Sequence, residues 1–145
     1  MSISAIQEEI VAEFEFFDPE SWDERYQYVI DLGKSLPLID AKYKTEENII
    51  KGCQSKVWLH ADYESGKVVY SADSDAILTK GLIAILIRSF SHQAPKDILE
   101  AKTDFIDRIG LKEHLSPTRA NGLVSMVKQI KMYALAFSSK SEQQA

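Results

Sequence analysis

Residues 56–90, KVWLHADYESGKVVYSADSDAILTKGLIAILIRSF, decide the fold, because two different hydrophobic periods follow one another within them. From Lys56 to Asp62, Val57, Leu59 and Ala61 alternate with Lys56, Trp58 and His60. That period of two is the signature of a half-buried strand. Lys67 to Ala72 is a second, β-branched run, and Glu64-Ser65-Gly66 between them has turn chemistry. The pair therefore reads as an antiparallel hairpin. From Ala76 to Phe90 the apolar residues Ile77, Leu78, Leu82, Ile83, Ile85, Leu86 and Ile87 leave almost no polar face before Arg88. A helix apolar nearly all round belongs at the centre of the molecule. Asp73, Ser74 and Asp75 stand before it as candidate caps, with their charge at the favourable end of the helix dipole. Gly81 costs a helix interior about 1 kcal/mol relative to Ala, so its presence predicts close approach by another backbone.

Upstream, Thr45 to Ile50 reads as a third short strand, with Gly52 and Cys53 in the bend that joins it to the hairpin. Two amphipathic helices open the chain. Ser4 and Gln7 form a capping box for the first, which carries Ile6, Ile10, Val11, Phe14 and Phe17 and runs to about Phe17, where Asp18-Pro19 breaks it. Ser21 and Glu24 form a second box ahead of Trp22, Tyr26, Val29 and Ile30, with Gly33 as the left-handed terminator and Pro37 beyond. Downstream, short helices follow Pro95 and Thr103, the latter ended by Gly110. The longest helix starts with Ser116 as cap and Pro117 in its first turn, burying Leu123, Val127, Ile130, Ala134 and Phe137. Residues 138–145 lack an apolar anchor and read as a frayed tail. No linker or repeat divides the chain, so residues 1–145 form one α+β domain, a small antiparallel three-stranded sheet packed against helices.

Composition narrows the function. The 145 residues are 45% hydrophobic, enough for a real core, and the formal net charge of -5 is spread along the chain. Without clustered Lys and Arg, nucleic acid is not an expected partner. The longest run free of polar side chains, Gly81 to Ile87, is far short of the roughly 20 residues that cross a bilayer. Glu8, Glu9 and Glu13 occupy the region where a secretory or transit leader would be basic, which makes the cytoplasm the expected compartment. One cysteine permits no internal disulfide, and no spacing of Cys, His and carboxylates suits zinc.

Lone cysteines are commonly buried and inert. Cys53, however, lies in the polar loop Lys51-Gly52-Cys53-Gln54-Ser55-Lys56, between strands, with two lysines whose charge favours thiolate. A metal or cluster site needs three or four ligands, against one thiol here. A Cys-His hydrolase needs His60, His92 or His114 beside the sulfur, and none has a motif around it. Disulfide cycling needs a second cysteine. A carrier that holds sulfur as Cys-S-SH needs one cysteine only, together with a means of hiding the persulfide between partners.

Three blocks carry a specific resemblance. They are Gly52-Cys53-Gln54-Ser55-Lys56-Val57-Trp58, then Ser71-Ala72-Asp73-Ser74-Asp75-Ala76 leading to Lys80-Gly81-Leu82-Ile83-Ala84, and finally His114-Leu115-Ser116-Pro117-Thr118-Arg119-Ala120-Asn121-Gly122-Leu123. Together with Trp22, Arg25-Tyr26, Leu32-Gly33 and Leu36-Pro37, they closely resemble the SufE sulfur-acceptor family over nearly the whole chain. The resemblance implies the fold shared with IscU-type scaffolds, which carry additional cysteines. It implies a pyridoxal-phosphate cysteine desulfurase as sulfur donor, Cys53 as acceptor with no cofactor beyond its covalent persulfide, and an iron-sulfur scaffold complex as recipient.

By the same resemblance, Gly52, Gln54, Ser55, Asp75, Arg119 and Asn121 are the binding positions around Cys53. Arg119 either stabilises the sulfur anion or, like Asp75, ties a helix start to a neighbouring loop. Gly81 and Gly122 read as packing glycines and Trp58 as a core or rim aromatic. The chain departs from the family where Arg and Pro are common, at Lys44 and Glu46, which bears on the path of the first strand. The expected function is thus a sulfur acceptor and carrier that stimulates its desulfurase, an accessory protein rather than a stand-alone enzyme. A non-covalent desulfurase activator is the alternative, and a thiol hydrolase is a third.

Overall fold

The hairpin forms where the alternation places it, in a computed structural model that describes residues 1–18 and 20–144. β1 (Val57–Glu64) and β2 (Lys67–Ser74) pair antiparallel, with Leu59 opposite Ala72 and Ala61 opposite Tyr70. Ser65 and Gly66, with φ of 51° and 80°, make the two-residue turn. Left-handed turn residues match the natural twist of the strands they join. One face of the hairpin buries Val57, Leu59, Ala61, Val68, Tyr70 and Ala72. The other carries Trp58, His60 and Asp62, with Lys44 lying over the Trp58 ring and His60 stacked on Tyr43.

The sheet has two strands among the described residues, not the three expected. Glu46–Asn48 is a 3₁₀ turn, and only Ile49 then bridges to Trp58. The local cause is composition, since Glu46, Glu47 and Asn48 disfavour extended structure. Asn48 also turns its side-chain amide back to the Tyr43 carbonyl at 2.7 Å. Two further single bridges, Leu38 to Ala72 and Gln93 to Val68, lie on the outer edge of β2.

α1 (Ile3–Glu15) and α2 (Trp22–Gly33) precede the hairpin. Ser2, not Ser4, caps α1, its hydroxyl accepting the Ala5 N–H at 3.1 Å. Gln7 is instead drawn inward, donating its amide to the Lys102 carbonyl at 2.9 Å and to Ser89 Oγ at 3.3 Å. α1 stops two residues short of Phe17, and Pro19, the expected breaker, lies outside the described residues. Ser21 occupies the cap position of α2 as expected but makes no side-chain cap hydrogen bond.

α3 (Ile77–Phe90) is the buried centre, with every residue from Gly81 to Ile87 buried. Its cap position is Ala76, and the expected cap residues do other work. Ser74 Oγ accepts the Ala76 N–H at 3.3 Å, while Asp73 pairs with Lys80 at 3.4 Å and with Lys44 at 2.5 Å. Gly81 meets α2 as its sequence setting predicts. A β-carbon there would stand 2.1 Å from the Val29 carbonyl oxygen, and one on Gly33 would stand 2.9 Å from the Gly81 nitrogen. Gly33 is therefore the last residue of α2 and half of a helix contact at backbone distance, not a left-handed terminator.

α4 (Pro95–Glu100) and α5 (Asp104–Arg108) follow, with Gly110 after α5, and then a short helix that no sequence signal marks, α6 (Leu111–His114). α7 (Pro117–Gln144) closes the domain. It lies along the hairpin, and Tyr70 donates its buried hydroxyl to the Ile130 carbonyl at 2.7 Å. α7 runs on through Gln144, past residue 138, where the expected tail of 138–145 begins. Phe137 stacks on Tyr63, with ring centroids 5.3 Å apart, just before them. Extending a helix already anchored this way adds one hydrogen bond per residue fixed. No helix among the described residues is long and apolar enough to cross a membrane.

The backbone contact at Gly81 yields a stability test. Gly81→Ala gains about 1 kcal/mol of helix propensity but loses roughly 2–3 kcal/mol to overlap with a carbonyl that cannot yield without moving α2. Urea unfolding followed by circular dichroism is expected to show a lower midpoint. A midpoint at or above that of the wild type contradicts the contact.

Candidate functional site

Cys53 sits on a short loop whose two ends are fastened together. The Ile50 N–H donates to the Val57 carbonyl at 2.8 Å, and across the neck the Asp75 N–H donates to the Lys56 carbonyl at 3.2 Å. The Asp75 carboxylate accepts the Lys56 N–H at 3.0 Å, and the Ser74 hydroxyl donates to the Lys56 carbonyl at 2.9 Å. The end of β2 thus holds the start of β1, and the loop between Ile50 and Val57 projects as a unit. Gly52 turns it with φ +94°, a conformation that L side chains rarely adopt. A β-carbon at Gly52 would also stand 2.6 Å from Ser125 Oγ, so the loop lies close against α7.

The start of α7 supplies the other wall. Ser116 Oγ accepts the Arg119 N–H at 3.2 Å, which is the cap that the Ser-Pro pair predicts. One turn on, Gly122 faces the cysteine. Cys53 Sγ lies 3.6 Å from the Gly122 carbonyl oxygen, a thiol donating weakly to a helix carbonyl. A cleft beside the sulfur is lined by Cys53, Gln54 and Ser55 of the loop, Thr79 and Leu82 of α3, and Thr118, Arg119, Gly122 and Met126 of α7.

This environment corrects one expectation about reactivity. Lys51 and Lys56 are exposed, and burial of the half-covered thiol pushes its pKa up from the ordinary value. Loss of hydration disfavours the charged form, so the covered position favours the neutral thiol.

Of the residues picked out in the sequence, the fold brings Gln54, Ser55 and Arg119 to the cleft with Cys53. Asp75 fastens the loop neck and Gly52 forms its turn. Asn121 is exposed, one residue before Gly122, and its carbonyl accepts from Ser125 Oγ at 3.2 Å. Thr79, Leu82, Thr118 and Met126 join the site without having been singled out as site residues. Met126 lies one helical turn beyond Gly122, a spacing that could have signalled it, and Thr79 is a buried polar residue one turn ahead of Leu82.

Among the described residues, no histidine lines the cleft. His114 stacks on Trp22 with centroids 3.8 Å apart, His60 stacks on Tyr43 at 3.6 Å, and His92 follows α3 with φ 61°. Among the described residues, no group of three or more His, Cys, Asp and Glu is placed to hold a metal ion.

Comparison with known proteins places the chain in a family. Residues 8–134 match the SufE family, described as an Fe-S metabolism associated domain. An uncharacterized SufE-like protein of Rhizobium meliloti is 42% identical over 132 residues, 88% of this chain and 93% of that one. The SufE-like protein 1 of Arabidopsis thaliana, named as chloroplastic/mitochondrial, is 42% identical over 120 residues, which cover 82% of this chain but 32% of that longer protein. The solution structure of a hypothetical protein from Thermus thermophilus superposes with a TM-score of 0.74 at 21% identity, covering 90% of this chain and 94% of that one, and so shares the fold. A family match over most of the chain, with a relative of nearly the same length at 42% identity, establishes that this protein belongs to the SufE family of Fe-S metabolism.

Proposed function

We propose that Cys53 accepts sulfur from the persulfide of a pyridoxal-phosphate cysteine desulfurase and passes it on for iron-sulfur cluster assembly. The observation that carries this reading is the seat of Cys53: a single thiol on a fastened loop, half-buried against the start of α7 beside a small cleft. A carrier must be reactive with its partners and inert between them. Burial supplies the inert state by keeping the thiol neutral.

Docking of the donor, in this reading, draws the loop outward. Hydration then returns the thiol to its ordinary pKa, and the thiolate attacks the terminal sulfur of the donor persulfide. The new S–S bond forms as the donor S–S bond breaks. Cys53 becomes Cys-S-SH and the donor leaves as a thiolate, so no oxidant or reductant is consumed. The recipient reverses the exchange. Arg119, beside the cleft, offers a cation to the persulfide anion, and the positive end of α7 adds to it. Asp75 serves the same cycle from the neck, fixing where the loop starts and ends.

Two measurements test this. Incubation with a desulfurase and cysteine is expected to add sulfur to the wild type, seen by intact mass. Cys53→Ser should take up none and lose at least about tenfold of the stimulation of desulfurase turnover, a difference of one decade or roughly 1.4 kcal/mol. Stimulation that survives intact in Cys53→Ser would favour the non-covalent activator and contradict the carrier.

The second is the pH dependence of Cys53 alkylation by iodoacetamide. A folded pKa above the unfolded one stabilises the closed fold fully below the unfolded value, and that contribution is lost as pH rises through the folded value. The alkylation midpoint in native buffer is therefore expected to lie above that measured in urea. A native midpoint equal to or below the unfolded one contradicts the buried neutral thiol.

A further inference from the structure

The formal charge is less even than the interspersed signs suggest. Residues 1–33 hold nine of the 22 Asp and Glu side chains but only one of the 17 Lys and Arg, the buried Arg25. The rest of the chain therefore carries more cations than anions. Where the end of this acidic α1 meets α2 lies an open groove lined by Phe16, Phe17, Glu24, Gln27, Tyr28 and Asp31. Its aromatic floor is built. Phe16 and Phe17 meet edge to face with ring centroids 5.8 Å apart, and Phe17 leans on Tyr28 at 5.0 Å. Tyr28 is itself fixed, by an edge-to-face contact with Phe14 and by donating its hydroxyl to Glu13. Phe16 is nonetheless 87% exposed. Burying such a ring is worth about 1.5–3 kcal/mol, and the fold leaves that gain unused.

The groove's two carboxylates are spaced along α2. Glu24 and Asp31 are seven residues apart, two helical turns or about 10 Å, with Gln27 between them. Gln27 and Lys34 touch Asp31 at 3.0 and 3.2 Å, an exposed cluster worth little by itself. Glu24 lies in the first turn of α2, where the dipole favours its charge, but that does not account for the open rings beside it. Among the described residues, no lysine or arginine lines the groove. We infer that it docks an amphipathic helix of another protein, one with Lys or Arg at positions i and i+7 and a large apolar side chain at i+4. The cations meet Glu24 and Asp31, and the apolar side chain covers Phe16 and Tyr28. A second copy of this chain does not supply that helix. Two grooves face to face set carboxylate against carboxylate, and no helix among the described residues carries Lys or Arg seven residues apart. The inference concerns the face formed by α1 and α2 and is independent of the carrier reading of Cys53.

The probe is a blocked peptide of about 15 residues, built of Ala and Gln for helicity, with Lys at i and i+7 and Leu at i+4. It is titrated into the full chain at low salt and followed by amide chemical shifts. Shifts are expected to gather on Phe16, Phe17 and the α2 residues from Glu24 to Asp31. Phe16→Ser is expected to weaken binding at least about tenfold, and Glu24→Gln about threefold. Both side chains are exposed, so the unfolding midpoints of the two variants are expected to match the wild type. Should Phe16→Ser unfold earlier, Glu24→Gln carries the decision. A control peptide with Glu in place of both Lys should not bind, and one with Ala in place of Leu should bind as weakly as Phe16→Ser binds the probe. If the Ala control binds the wild type as tightly as the probe does, the groove is only a charged surface and the inference fails. It fails too if nothing binds, or if the shifts gather elsewhere and ignore both variants. Self-association of the free chain that Phe16→Ser abolishes would assign the groove to a second copy and overturn it as well.

Discussion

The enclosure of α3 is the constraint on which the rest of the structure depends. A helix buried along seven consecutive residues, from Gly81 to Ile87, must be covered on every side. α2 covers it at backbone distance, through Gly33 and Gly81, and α1 is tied to it by Arg88, which pairs with Glu13 and lies 3.7 Å from Glu9. The hairpin and α7 cover the remaining sides, joined to each other by Tyr70 and by Tyr133, whose hydroxyl donates to the Leu59 carbonyl at 3.1 Å. Each buried Leu, Ile or Phe of this assembly contributes about 1.5–3 kcal/mol. Because hairpin and α7 are both fixed against α3, the loop at one end of the hairpin is delivered to the first turns of α7.

That delivery creates the tension between stability and reactivity that defines the site. The same wall that half-covers Cys53 raises its pKa, so the covered position favours the neutral thiol over the thiolate. The loop resolves this by being fastened at its neck rather than along its length. Asp75, Ser74 and Val57 hold the two ends, whereas the tip touches α7 through a weak thiol contact and the close approach of Gly52 to Ser125. The neck is held by the sheet and the tip rests on α7, which is the arrangement expected of a functional loop on a rigid scaffold.

Much of the fold is legible in the sequence because period and burial coincide. The alternation from Lys56, the Ser65-Gly66 turn and the apolar run of α3 each report a local preference that the tertiary structure keeps. The third strand fails because Thr45 to Ile50 has apolar residues only at its end, and one bridge at Ile49 does not make a strand. Gly33 misleads because a glycine that ends a helix and a glycine that admits another helix look alike in sequence. At the site, Cys53, Gln54, Ser55 and Arg119 are legible from the motif blocks, whereas Thr79 and Met126 lie outside them and Leu82 reads only as core, since these three meet the loop through the packing of α3 and α7. The lysines mislead for a related reason: proximity along the chain suggests charge, whereas burial decides the thiol.

If Cys53 is the relay, sulfur must pass through it on the way to a cluster. The most direct measurement is a pulse and chase with cysteine carrying radiolabelled sulfur: a desulfurase labels the protein, the desulfurase is removed, and an apo iron-sulfur scaffold with iron is added. Label should leave the peptide containing Cys53 as it appears in the scaffold, one sulfur for one. Label that stays on Cys53 while the scaffold acquires unlabelled sulfur would contradict a relay through this thiol.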